Sequence, residues 1–163
     1  MRTMRTVRTA IESDAQHCAA IYAPFVRDTW ISFETTPPDQ HEMLHRMRSA
    51  HIWLVAEDVQ GQVVGYAYGS RHREREAYAK SVDVTVYVEA EHSRQGFGKA
   101  LYEALLPSLK NNGFHAAFAG IALPNNSSVS LHEHMGFCPV GVYREVGWKL
   151  EGWRDVGWWQ RLL

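Results

Sequence analysis

The spacing of apolar residues along the chain predicts the element order β-α-α-β-β-β-α-β-α-β-β. Thr6 to Ala10 reads as a short first strand. Cys18, Ile21, Tyr22 and Phe25 recur at helical spacing, so "DAQHCAAIYAPFVRD" reads as a helix capped by Ser13 or Asp14. Pro24 lies inside it and predicts a kink or a new segment in the last turn. "TWISFETTPPD" is an extended loop, and Asp39 caps a second helix with Met43, Leu44 and Met47 facing inward. Ile52–Glu57 and Val63–Gly69 flank the turn "DVQGQ" as a hairpin. The polar stretch "SRHREREAYAK" leads into a strand from Ser81 to Glu89. Ala100, Leu101, Ala104, Leu105 and Leu109 mark a long helix that Pro107 bends and Asn112-Gly113 stops. "HAAFAGIAL" does not alternate and reads as a strand buried on both faces. A helix ending at Gly136 and two final strands complete the chain. This order predicts an α/β (α+β) protein with a mixed sheet and helices on both sides.

Composition narrows the classes. The 163 residues, 45% hydrophobic and 21% charged, fit one globular domain over 1–163, without repeat or linker. A net charge of −1 gives no bulk attraction to nucleic acid or an anionic membrane. No apolar run approaches the roughly 20 residues that span a bilayer. The basic start "MRTMRTVRTA" lacks the apolar core of a secretory signal and reads as a leader, with Met4 as an alternative start. Cys18 and Cys138 have neither metal nor redox spacing and read as buried thiols in a reducing compartment, so a cytoplasmic protein is expected. "HEH" at 132–134 is not a zinc helix motif, and no metal is expected. Trp148, Trp153, Trp158 and Trp159 alternate along the last strands; core and dimer packing accounts for them better than base stacking, and a homodimer is expected.

The stretch "VYVEAEHSRQGFGKALYEALL" carries the chemistry. A strand gives way to a helix through Arg94, Gln95, Gly96, Phe97, Gly98 and Lys99. Unpaired N–H groups and the helix dipole make such a turn an anion site, and glycine lets a phosphate approach the backbone. The spacing is neither that of a dinucleotide-binding fold nor that of a P-loop, and taken alone it is equally a tight strand-to-helix turn.

With its neighbours, the stretch resembles the acetyl-CoA-binding segment of the GNAT superfamily of N-acetyltransferases. Gly96 and Gly98 match the glycines of that motif, whereas Ser93 stands where the family usually has Gln or Arg. Arg94 and Lys99 offer the charge that Ser93 lacks. "LPNNSSVSLHEHMGF" resembles the helix along the pantetheine arm, which implies Asn125 and Ser128 as cofactor contacts, and His132 occupies the slot where most members have Tyr. From about Val7 to Leu162 the chain is similar to the phosphinothricin and methionine sulfoximine acetyltransferase branch. That likeness implies a GNAT fold of about seven strands and four helices, with acetyl-CoA as co-substrate.

The same likeness implies a catalytic pair. "SVDVTVYV" aligns with the branch's strand bearing a Glu base, so Asp83 takes that place one methylene shorter, with a water to reach the amine. His132 is the implied general acid, and a backbone N–H near Tyr87 or Val88 the oxyanion donor. The competing roles are structural: an ion pair of Asp83 with Lys80 or an arginine, and a loop hydrogen bond for His132. Phe33 and Glu34 match the substrate loop, with an apolar wall from Phe33 and Tyr78 or Trp30. Arg73 and Arg75, two apart in an extended segment, share a face suited to a carboxylate; the alternative is a solvated charge run. The implied reaction moves acetyl to the primary amine of a small amino acid or analogue. A peptide N-terminal acetyltransferase and a non-catalytic CoA sensor are the alternatives.

Overall fold

A seven-stranded sheet in the order β1-β2-β3-β4-β5-β7-β6 organises the computed structural model, which describes residues 5–163. The reading of Met4 as a start falls outside these residues. The strands are β1 (Thr6–Thr9), β2 (Ile52–Glu57), β3 (Val63–Arg71), β4 (Ser81–Val88), β5 (Ala116–Leu123), β6 (Cys138–Lys149) and β7 (Gly152–Leu162). The helices are α1 (Ala15–Asp28), α2 (Gln40–Ser49), α3 (Phe97–Asn111) and α4 (Asn126–His134). All neighbouring pairs are antiparallel except β4–β5. The predicted element order holds, with the expected seven strands and four helices.

Each face of the sheet has its own core. On one, Leu101, Leu105 and Leu109 of α3 are fully buried against Val82, Ala117 and their neighbours. Burying each leucine stabilises by roughly 1.5–3 kcal/mol. That outweighs propensity differences of tenths of a kcal/mol among ordinary residues, so packing sets the position of α3. On the other face, Cys18, Ile21 and Tyr22 of α1 and Met43 of α2 meet Trp53, Val55 and Tyr66. Asp39 caps α2, its Oδ1 accepting from the Glu42 N–H at 2.9 Å.

Four local expectations change. The helix does not break at Pro24 but runs on to Asp28, because Ile21 and Tyr22 before the proline and Val26 after it bury into one core. Asp14 does not cap α1 with its side chain; it accepts from Arg8 at 2.8 and 3.0 Å and from the Ile11 N–H at 2.8 Å. Leu44 and Met47 only border the core, which α2 enters chiefly through Met43. Cys138 is exposed rather than buried, since β6 is the edge of the sheet.

The feature that makes a site is a fork. β4 and β5 pair only at Ser81–Ala116, Val82–Ala117 and Asp83–Phe118, after which they diverge. From Val84 onward β4 therefore has backbone groups without a strand on that side. The Glu89 N–H donates to Val64 O of β3 at 2.8 Å. Strand alternation then turns the N–H groups of Val84, Val86 and Val88 the other way, into the gap.

Candidate active site

The fork opens onto a cleft of about 770 Å³. Its mouth is the turn before α3. Gly96 adopts φ +84°, a left-handed conformation that suits glycine, and Arg94 shares it at φ 58°. Gly98 serves a different need: a Cβ there would stand 3.0 Å from Leu131 Cδ2 of α4, so the glycine lets the two helices approach at the cleft. Ser93, Arg94, Gly96, Phe97, Gly98, Lys99, Asn125 and Ser128 line the cleft, as do Tyr87 and Val88. Gln95 is not among its lining residues. Between Tyr87 and Val88 the alternation of β4 selects Val88 as the one whose N–H faces the gap. The Tyr87 ring instead packs on Tyr22 and Phe25, at centroid distances of 4.8 and 5.1 Å.

His132 is 3% exposed on the wall of this cleft. Its Nδ1 lies 2.7 Å from the Ser128 carbonyl, which can only accept, so Nδ1 carries the proton. Nε2 of the neutral ring is then an acceptor, and the buried Tyr102 hydroxyl donates to it at 2.8 Å. Burial holds the imidazole pKa below its ordinary value, against the opposing pull of the Ser128 carbonyl. To act as an acid, His132 must first gain a proton at Nε2 and displace the Tyr102 donor.

A second cavity of about 560 Å³ adjoins the first, and Ile31, Val84, Thr85, Tyr87, Gly120 and Ala122 line both. Asp83 lies on its wall, at the last pair before the strands part. Burial raises the Asp83 pKa; a hydrogen bond from His72, with Nδ1 2.6 Å from Oδ1, partly offsets this. His72 is itself held flat on Phe118, with ring centroids 4.4 Å apart. The Asp83 partner is thus a histidine rather than Lys80 or an arginine.

Phe33 and Glu34 line this second cavity as expected. Glu34 is not free: Arg46 donates to both of its oxygens, at 2.6 and 2.9 Å, and the Tyr22 hydroxyl also donates to it. The Arg46 guanidinium holds the Glu34 carboxyl below its ordinary pKa. Arg73, Arg75 and Tyr78 do not line the cavity. β3 ends at Arg71, and the next residues form a bend and a 3₁₀ turn over Glu76–Tyr78, so strand alternation does not apply to the two arginines. Arg73 and Tyr78 flank His72: Arg73 donates to the His72 carbonyl at 2.8 Å, and the Tyr78 ring stands edge-on to the imidazole at 5.8 Å. The Arg75 carbonyl accepts from the Tyr78 N–H at 3.0 Å.

Arg46, Tyr22 and Tyr68 of the cavity, and the partners His72 and Tyr102, escape a reading by motif. Only Tyr102 had a local signal, since it falls one helical turn after Gly98, on the face that meets α4.

A forked sheet with a glycine-opened helix at one end of the gap and a carboxylate at the other defines an acyltransferase architecture. Residues 7–158 match the family model described as Acetyltransferase (GNAT) domain. The chain is 40% identical over 158 residues to a phosphinothricin N-acetyltransferase of Streptomyces viridochromogenes, covering 95% of this chain and 86% of that one. It is 32% identical over 159 residues to an L-methionine sulfoximine/L-methionine sulfone acetyltransferase of Pseudomonas aeruginosa, covering 95% and 92%. A crystal structure of a GNAT superfamily phosphinothricin acetyltransferase from Sinorhizobium meliloti in complex with AcCoA superposes with a TM-score of 0.95 at 34% identity, covering 100% of this chain and 89% of that one. The chain belongs to the GNAT acetyltransferase family.

Proposed function

We propose that the protein transfers acetyl from acetyl-CoA to the primary amine of a small amino acid or analogue of the phosphinothricin or methionine sulfoximine type, by direct attack in a ternary complex. The observation that carries this reading is the junction of the two cavities at Val84 and Thr85, with Asp83 on one side and the glycine turn on the other. The thioester would lie along β4 with its diphosphate at Gly96 and Gly98, and the amine would enter beside Asp83. The residues present fit acetyl-CoA: the N–H groups opening α3 face a cleft that also holds Arg94 and Lys99.

Asp83 then acts as the base. An α-amino group has a reference pKa of about 7.7–8.0, so neutralising it at pH 7 costs only about 1–1.4 kcal/mol. Its own carboxylate makes the cost somewhat greater, yet the task stays small, so positioning and the Val88 N–H at the developing oxyanion contribute more. The amine attacks the thioester carbonyl, its proton passes to Asp83, and the C–S bond breaks. The departing thiolate has a thiol reference pKa of about 8.5, so it leaves readily and takes up a proton afterwards. His132 assists once protonated. A single domain performs this chemistry, and cytoplasmic residence accords with two unpaired cysteines.

A second copy covers the β6 edge in this reading. Trp148 and Trp153 are each 59% exposed in the β6–β7 hairpin, where Val142, Val146 and Leu150 are exposed as well. The test of function is release of CoA thiol from acetyl-CoA against a panel headed by phosphinothricin and methionine sulfoximine, with amino acids and peptides beside them. Release with the small amino acids supports the reading. Release with peptides alone makes this a peptide acetyltransferase, and none with any amine makes it a sensor.

A further inference from the structure

Lys149, at the end of β6, is only 8% exposed, and its partners are carbonyl oxygens rather than a carboxylate. The ammonium donates to Val26 O at 2.7 Å, Ser32 O at 2.6 Å and Glu34 O at 2.7 Å. All three of its N–H groups are spent on the end of α1 and the loop that follows. An ammonium is costly to bury, so core packing alone is served better by an apolar chain of the same length. The oxygens it holds include the two carbonyls flanking Phe33.

Two more contacts run from the same hairpin to the same loop. A Cβ on Gly147 would lie 2.3 Å from Phe33 Cε2, so the bare glycine seats the Phe33 ring. The Arg154 guanidinium lies 4.5 Å over the Trp30 ring and also donates to the carbonyls of Lys149 and Leu150 at 3.1 Å each. Backbone, ring and flanking side chain of the loop are therefore fixed from one hairpin. Ile31, Ser32, Phe33 and Glu34 wall the cavity beside Asp83.

We infer that Lys149 is a positioning residue for amine transfer: the β6–β7 hairpin clasps the loop, and this sets the shape of the acceptor pocket and hence acceptor KM. The inference rests on reading that cavity as the acceptor site. Lys149 lines neither cavity, and Ser32, Phe33 and Glu34 of the loop it holds wall only the acceptor one, so the effect falls chiefly on the acceptor.

The test compares wild type with Lys149→Met, which keeps the length and removes the donors, and with Lys149→Arg, which restores donors. Lys149→Met should raise acceptor KM at least tenfold, leave acetyl-CoA KM within twofold, and speed amide exchange over residues 29–34 but not over α3. Lys149→Arg should recover part of the acceptor KM. A folded Lys149→Met enzyme with acceptor KM within twofold of wild type overturns the inference, as does equal loss of both affinities. Should Lys149→Met not fold, Gly147→Ala carries the test, because it displaces the Phe33 ring while leaving Lys149 in place; unchanged acceptor KM there overturns the inference too. A wild type silent toward every amine removes the acceptor reading itself, whereas an active wild type with indifferent variants removes only the clasp.

Discussion

His72 Nδ1 lies 2.6 Å from Asp83 Oδ1 in the wall of the smaller cavity, and stacking on Phe118 fixes the imidazole there. The pair has a definite sign. Burial pushes the Asp83 pKa up and His72 pulls it down. A base works only when deprotonated, so kcat/KM should fall as pH drops through the raised Asp83 pKa. Replacing His72 by Phe removes the downward pull and should move that acidic limb to higher pH. Asp83→Asn should lower kcat on the order of 10²-fold or more, the usual worth of a positioned base. A pH–rate profile of unchanged shape in both variants would remove Asp83 from the mechanism.

The tautomer of His132 gives a second expectation. Tyr102→Phe strips Nε2 of its donor and should cost about 1–3 kcal/mol of stability, as for a buried acceptor left unpaired. Urea titration at pH 7.5 reads this directly.

His132 also ties stability to acidity. Its folded pKa is lowered, chiefly by burial, from a reference of 6.5. The unfolded chain therefore binds the extra proton first, and stability contributed by the neutral ring is present above about pH 6.5 and lost as pH falls toward the folded value. Between pH 7.5 and 5.5, Tm of wild type should fall further than Tm of His132→Gln. Parallel curves would contradict the buried neutral assignment.

At the glycine turn, Gly96→Ala must hold an alanine at φ +84° and set its Cβ 2.9 Å from Arg5 Cζ. The backbone strain alone should cost about 1 kcal/mol. Gly98→Val presses on Leu131 and should part α3 from α4. Both should raise acetyl-CoA KM far more than acceptor KM, by initial-rate kinetics with each substrate varied. The opposite ordering would move the cofactor elsewhere.

At the sheet edge, Trp148 and Trp153 meet edge-on at 5.1 Å and face outward. The double substitution to Glu should yield a monomer in sedimentation velocity while wild type sediments as a dimer. A monomeric wild type would refute the dimer.

Local patterns reported the strands and helices well because each carries its own periodicity: three leucines of α3 at helical spacing and the Asn112-Gly113 stop are visible without a partner. The glycine turn was legible for the same reason. Arg73 and Arg75 went differently, because where β3 stops depends on its pairing with β4, and β4 pairs with it only as far as Arg71–Val82. His72, Arg46 and Lys149 were silent for a related cause. Each acts on a residue distant in sequence, and nothing near Lys149 announces that it reaches Ser32 across 117 positions. The exposed Cys138 was misread because only the strand order places β6 outermost.

The meeting of β4 and β5 at Asp83 and Phe118 has a geometric meaning. Those rungs are the apex of a wedge, with β1 to β4 forming one arm and β5, β7 and β6 the other. A wedge is widest far from its apex, so under the proposed function the room for a long donor lies toward the glycine turn, and the narrow end falls beside Asp83.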